Sequence, residues 1–508
     1  MKGRTAVVGG GVHGLAAAAL LAARGRSVIL FEAREQTGGL AASEEFHPGY
    51  RSAGTLMDTA WVSRRVAGEL ELSAFGLRFR DRGTAVFGPE REGSGILLEP
   101  GQADARELGE DARPYYHLRR YLERVQGVVL GLLESEVPSL QPAGIREHLE
   151  WLRRAWAARR LGRRDLYELF RVAPMPVADW MRDRLCSPRL QALLAVPALT
   201  PNRVGPMAPG TAANLILHLC TRRPEVRGGA PALAAALEKA CRAGGVEIRT
   251  GARVARLAVR DGRVAAVVLE DGSDQEVREV YLASDWKRGL LELLEPGALS
   301  VEEEERVAAF RTRGSLAVLD LALEAPVDWA SRPGERFEAL RTGEDLVTLE
   351  QAADALKYGQ PSGRPFLEIR IPTLAGAGQA PPGGQVLTAL IHFVPENAGE
   401  GVREAVQGRA LETLEELAPG LQARIAGLRL RLPADLEAEY GLSGGHLFHG
   451  EHALDQLGPL RPGALFAGHR TPVEGLVPCS PATHPLGGLS LLPPWHAVRS
   501  RAVVEAGA

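Results

Sequence analysis

Ala6-Val7-Val8-Gly9-Gly10-Gly11-Val12-His13-Gly14 stands near the start of the chain, and Val28-Ile29-Leu30-Phe31-Glu32 follows an alanine-rich stretch. The order reads as strand, tight turn, helix, strand, the layout of a dinucleotide-binding unit. Gly9 permits the turn, Gly11 lets the backbone approach a pyrophosphate, and Gly14 lets the helix close against its strand. A helix beginning near Val12 aims its positive end and free N–H groups at the phosphates. Glu32 falls about 20 residues past the glycines, where an acid accepts hydrogen bonds from a ribose diol. The same carboxylate repels a 2′-phosphate, so FAD or NAD is expected and NADP is not. Lys2, Arg4 and the alanines also suggest a secretory signal. Against that, His13 and five glycines in the first fourteen residues interrupt the apolar run, and a strand ending in an acid follows directly.

At 508 residues the chain exceeds one ordinary core, so two or more domains are expected. With 45% apolar and 24% charged residues it is a packed globular protein. A net charge of −3 offers no global attraction to nucleic acid or acidic membranes. The four cysteines, Cys186, Cys220, Cys241 and Cys479, form no Cys-x-x-Cys pair. That excludes a close-spaced redox disulfide, argues against a cysteine zinc site, and fits a reducing, cytoplasmic setting. No apolar run reaches the roughly 18 residues of a membrane helix, so any membrane contact is expected to be peripheral.

Farther along, Gly38-Gly39 reads as a tight loop beside the nucleotide and 60–72 as a helix with Val62, Val66 and Leu70 on one face. Residues 105–214 read as mainly helical, broken at Pro138, Pro142, Pro174-Met175-Pro176 and Pro188. Within them, 149–170 is strongly basic and carries Trp151 and Trp156. Such a helix can lie on a membrane surface; the preferred reading is a solvated arginine face with the tryptophans turned inward. A helix over 231–243 precedes strand-like runs at 246–257, 263–269 and 277–282. Asp261-Gly262 and Asp271-Gly272 lie between them, so an antiparallel meander is expected. Strands at 316–323, 366–371 and 386–393 and a helix over 402–418 follow.

Four pieces in order now carry a resemblance. They are the stretch from Ala6 through Glu32-Ala33-Arg34 to Gly38-Gly39; Arg227-Gly228-Gly229-Ala230-Pro231 down to Ala283-Ser284-Asp285; Gly444-Gly445-His446-Leu447-Phe448-His449 with Arg461-Pro462; and Gly475-Leu476 to Gly487-Gly488. The chain resembles the phytoene-desaturase-like FAD oxidoreductases, in the branch of pyridine-nucleotide-disulfide oxidoreductase domain proteins. The resemblance implies an α/β fold: a Rossmann-like FAD domain of discontinuous segments (1–72, 225–300 and 426–508) with an α+β substrate domain. The latter is helical over 73–224 and strand-rich over 301–425. It also implies the FAD contacts: Gly9, Gly10, Gly11, Val12, His13 and Gly14 at the pyrophosphate, and Glu32 with Ala33 and Arg34 at the ribose. Gly38, Gly39 and Leu40 would line the phosphate side, Val254 the adenine, and Gly487 and Gly488 the flavin. His449 is the candidate active-site contact. The implied chemistry is hydride removal from an apolar, isoprenoid-like small molecule in an oil-like cavity, or flavin-dependent isomerisation.

One departure stands out. Cys479-Ser480-Pro481-Ala482 and Leu489-Ser490-Leu491-Leu492-Pro493-Pro494-Trp495 occupy positions where the family uses glycines and small residues. Their side chains fill space and the prolines lack N–H donors. The flavin is then seated differently, held weakly or not held, and a catalytically silent nucleotide- or partner-binding protein is the competing reading. His446, His449 and His452 recur at threes beside Glu451, but their glycine-rich surroundings favour packing over a metal. Cys479 reads as a small buried residue. The sequence leaves the oligomeric state open.

Overall fold

A computed structural model describes residues 3–100, 105–137, 145–396 and 399–506. Five parallel strands form one sheet in the order Leu476–Pro478, Glu279–Leu282, Thr5–Val8, Val28–Phe31, Glu247–Arg249. Thr5–Val8, Val28–Phe31 and Glu279–Leu282 are buried at every residue, as unbroken apolar runs in a parallel sheet require. The first helix, Val12–Ala22, is buried from Val12 to Leu21 and packs against the helices Gly229–Ala243 and Leu492–Ala506. Its alanines let the neighbouring helices approach closely.

The meander has a different composition from the one expected. Its strands are Val254–Arg260, Arg263–Leu269 and Asp274–Glu276. The run over 246–257 divides at Gly251 (φ +62°): Glu247–Arg249 pairs in the parallel sheet, and the chain then turns into the meander. Glu279–Leu282 likewise belongs to the parallel sheet. Asp261 and Gly262 both have positive φ, the conformation of a two-residue hairpin turn.

The second sheet is mixed, in the order Ile425–Arg431, Leu316–Leu323, Gln385–His392, Leu367–Arg370, Ala339–Arg341, Val86–Gly88, Ile96–Leu98. The sequence reading misses Val86–Gly88 and the edge strand Ile96–Leu98, which lie in a stretch read as mainly helical. Alternation separates its faces. Leu319, Leu340, Leu367, Ile369 and Ile391 form a core with Val406, Ala410 and Leu414 of the helix Glu400–Leu417. The opposite face carries Asp320, Arg341, Glu368, Arg370, Arg429 and Arg431.

Helices Ala112–Leu133, Pro188–Leu199 and Thr211–Thr221 pack together beside this charged face. Pro188 starts a helix rather than breaking one, with Ser187 Oγ accepting from the Leu190 N–H at 3.3 Å. Pro138 and Pro142 lie outside the described residues. The expected helix at 60–72 is confined to Arg64–Glu69, although Val62, Val66 and Leu70 are all buried. The inward-tryptophan reading fails. On the helices Ile145–Arg160 and Gly162–Val172, Leu152, Trp156 and Phe170 are 64%, 57% and 72% exposed, with arginines between them. Among the described residues no helix is long and apolar enough to cross a membrane.

Candidate active site

The site begins where the first strand ends. Gly9 (φ +101°) donates its N–H to the Phe31 carbonyl at 2.9 Å, bending the chain across the strand tips. A Cβ on Gly14 would lie 1.8 Å from the Gly9 carbonyl oxygen, so only glycine allows the helix to sit this close to its strand. No side chain caps that helix at Gly11, which leaves its first N–H groups available to an anion. Gly38 donates to the Gly10 carbonyl at 2.9 Å, and the Gly38-Gly39 turn lies against the glycine loop.

Glu32 is buried at the end of the second strand, where its carboxylate accepts the Gly10 N–H at 2.6 Å and the Arg34 N–H at 2.9 Å. It therefore ties the loop to the strand besides facing the cleft. Gly9, Gly11, Val12, His13, Glu32, Ala33, Arg34, Gly38, Gly39, Leu40, Val254, His449 and Gly488 all line one cleft of about 1200 Å³, solvent-open mouth included. Three of the sequence candidates do not line it. Gly10 is turned toward Glu32, Gly14 packs on Gly9, and Gly487 abuts the Phe448 carbonyl. Pro481, which the sequence reading puts at the flavin end, also lines the cleft, together with Ser284, Asp285 and Tyr440, which it does not assign to the site. Ser284 and Asp285 had a signal: they follow the strand Glu279–Leu282, and ligands of such sheets bind beyond the carboxyl ends of the strands.

Among the described residues that line this cleft, four buried polar atoms have no hydrogen-bond partner: His13 Nε2, Arg34 Nη1, Ser284 Oγ and His449 Nδ1. A polar ligand lying along the glycine loop and past the helix N-terminus satisfies them, and the donor set fits FAD. Burial lowers His13 to about 3 and His449 to about 4, so both imidazoles are neutral at pH 7. His449 is held at φ +55°, an uncommon conformation for a non-glycine residue. Its sequence neighbours serve other ends. His446 Nδ1 accepts the Phe448 and Gly450 N–H groups at 3.2 Å each, and His452 Nε2 accepts that of Gly487 at 3.3 Å. Among the described residues no three His, Cys, Asp or Glu side chains are grouped to hold a metal. Cys479 is fully buried, and burial raises its thiol well above the usual range, so it is a poor nucleophile.

The altered C-terminal motif keeps its helix. Pro493 and Pro494 are the second and third residues of Leu492–Ala506, where missing N–H groups break no helical bond. Leu491 and Trp495 are buried in the core around the first helix, while Pro481, Gly488 and Leu489 line the cleft. The departure therefore enlarges packing behind the site and removes donors in one helical turn.

Past Leu56 and Gly488 the cleft adjoins a second chamber, walled by Trp61, His218, Phe448 and the charged face of the mixed sheet at Arg341, Glu368 and Arg370. Trp61 stacks on His452 with ring centroids 6.2 Å apart. This chamber is not oil-like: apolar walls meet a floor of buried charges. Burial lowers His218 to about 3, so it faces the chamber as a neutral ring.

Known proteins share this plan. A family model described as NAD(P)-binding Rossmann-like domain matches residues 7–61, and one described as flavin containing amine oxidoreductase matches residues 158–477. Pyridine nucleotide-disulfide oxidoreductase domain-containing protein 2 of Rattus norvegicus is 27% identical, covering 95% of this chain and 90% of its own. The zeta-carotene-forming phytoene desaturase of Myxococcus xanthus is 25% identical, over 90% of this chain and 86% of its own. A solved structure of putrescine oxidase bound to putrescine superposes over 100% of both chains with a TM-score of 0.59 at 14% identity, a likeness of fold. With the glycine loop, the composite cleft and a flavin-family model spanning more than half its length, the chain belongs to the flavin-containing amine oxidoreductases, in their phytoene-desaturase-like range.

Proposed function

We propose that this protein is an FAD-dependent dehydrogenase that removes hydride from a small organic substrate held in the chamber beyond Gly488. The supporting observation is that the two spaces adjoin: Leu56 and Gly488 line both the dinucleotide cleft and the chamber. Bound in the cleft, FAD supplies a two-electron acceptor for the hydride. Gly9, Gly11, Val12 and His13 would hold the pyrophosphate, Glu32 the ribose, Val254 the adenine side, and Gly38, Gly39 and Leu40 would line the phosphates. Trp61, Phe448 and Leu56 orient the apolar part of the substrate and exclude water from the reacting carbon. His449, a neutral imidazole with an unpartnered Nδ1 in the cleft, would offer the bound cofactor or substrate a hydrogen bond. Its lowered pKa makes it a hydrogen-bonding group rather than a proton carrier at pH 7.

The apolar, isoprenoid-like substrate suggested by the carotenoid relatives suits the Trp61 and Phe448 walls and not the charged floor. The exposed Leu152, Trp156 and Phe170 among arginines support peripheral contact with an anionic membrane surface. The competing reading, a silent nucleotide-binding protein, rests on the donors missing at Pro493 and Pro494. One experiment separates them: the absorbance spectrum of purified protein after FAD loading and desalting, followed by anaerobic reduction. Near-stoichiometric flavin that candidate substrates bleach supports the dehydrogenase. Bound flavin that no substrate or electron donor reduces sinks it, and protein that retains no flavin favours the silent reading. Turnover without consumption of an electron acceptor would point to an isomerase.

A further inference from the structure

The charged floor of the chamber has a surplus of one kind of valence. Its carboxylates are occupied. Glu368 Oε1 accepts from Thr200 Oγ1 at 2.7 Å and faces His392 Nε2 at 3.1 Å, and Glu368 Oε2 accepts from Arg341 Nε at 3.0 Å. Asp58 Oδ1 accepts the Ala60 N–H at 2.9 Å, and its Oδ2 lies 3.5 Å from Arg222. Glu225 accepts from Thr84 at 2.8 Å and Arg370 at 3.1 Å. The guanidinium donors are not occupied. Arg341 uses Nε alone, leaving both terminal nitrogens without a hydrogen bond, and Arg370 uses only Nη2. Arg341 is 9% exposed and lines both the chamber and an outer recess whose wall also has Arg119, Arg222 and Arg223 with Glu99 and Glu123.

A buried guanidinium with its terminal edge free matches an oxyanion that accepts two parallel N–H bonds, and a carboxylate has the planar geometry for it. We infer that the substrate of this site is a carboxylic acid whose carboxylate is held end-on by Arg341, with its apolar body running past Trp61 to Gly488. Arg341 and His218 line both the chamber and the outer recess, so the acid enters from the basic side and meets Arg341 at the partition. The β-register makes the anchor rigid: Arg341 lies directly opposite Glu368 on the neighbouring strand, and Glu368 orients it. Arg341 is a binding and specificity residue, and the inference rests on the dehydrogenase reading only for what happens at the other end of the substrate.

The test is calorimetric binding of three probes matched in length, hexanoate, hexanamide and hexylamine, to the full chain with and without FAD. The acid is expected to bind at least tenfold more tightly than the amide or the amine. Arg341→Gln is expected to abolish that preference and Arg341→Lys to keep part of it, with FAD retention unchanged in both. Because Arg341→Gln strands Glu368, the double variant Arg341→Met/Glu368→Gln is the folded control and should also lose the preference. Equal binding of acid and amide, tighter binding of the amine, absence of acid binding, or a preference that survives Arg341→Gln overturns the inference. Acid preference in protein that holds no FAD would instead leave this inference standing and remove the dehydrogenase reading.

Discussion

The two adjoining cavities are built in opposite ways. The dinucleotide end is made by backbone: glycines at 9, 11, 38 and 39, a helix N-terminus without a side-chain cap, and one carboxylate that braces the loop. The chamber end is made by side chains from strands far apart in the chain, with Arg341, Glu368 and Arg370 projecting from one face of a sheet whose other face is a hydrophobic core. A backbone site tolerates few substitutions and accepts one ligand shape. A side-chain site can be rewritten one residue at a time, and here it departs from the oil-like cavity that the carotenoid relatives suggest.

Substitutions should expose that contrast. Gly14→Ala drives a Cβ into the Gly9 carbonyl, so it should cost at least about 3 kcal/mol of stability and abolish flavin retention, read by thermal melting and the flavin-to-protein absorbance ratio. A melting point within a degree of the parent would show that the loop can relax.

Acid should act on both ends together. Burial holds His13, His218, His446 and His449 neutral, with His13 and His218 lowered to about 3 and His446 and His449 to about 4. Because these folded-state values lie below the unfolded value near 6.5, the unfolded chain takes up protons first as pH falls. Stability should thus be flat above about pH 7 and fall between about pH 6.5 and 4, each imidazole opposing folding by about 1.4 kcal/mol per pH unit. Denaturant titrations from pH 8 to 5 check this; a flat profile through pH 5 would mean the rings are hydrated.

Glu32→Ala leaves the Gly10 and Arg34 N–H groups without their acceptor and should cost about 2 kcal/mol and roughly tenfold in FAD affinity. Glu32→Gln, which keeps an acceptor, should cost less in calorimetric titration. Leu152→Glu and Trp156→Glu lie outside both ends. They should weaken co-sedimentation with anionic vesicles roughly tenfold while changing stability by less than about 0.5 kcal/mol. The smallest effect belongs to Pro493→Ala with Pro494→Ala. Restoring two donors in a first helical turn should shift FAD affinity no more than about threefold. A far larger gain would return weight to a flavin end disabled by those prolines.

Local sequence made the parallel sheet, its glycine loop and the flavin-family membership legible, because a positive φ, a close approach and an unbroken apolar strand are demands met within a few residues. It misjudged features that depend on distant partners. The run over 246–257 looked like one strand because nothing local says that its halves belong to different sheets. Composition turns Trp151 and Trp156 inward, whereas burial is decided by what packs over a helix, and Trp156, with the Arg160 guanidinium over its ring, stays 57% exposed. Pro493 and Pro494 read as damage in the sequence alone, whereas in the fold they stand in the first turn of a helix and break no helical bond.

By itself, then, the sequence determined a Rossmann-like α/β flavoprotein fold with its dinucleotide loop at residues 9–14, since those requirements are written in backbone stereochemistry. Only the tertiary structure decided that Arg341 of one short strand faces Glu368 of the next and opens into the chamber beside Gly488. Which side chains share a cavity is set by sheet register and layer packing, and no local pattern encodes either.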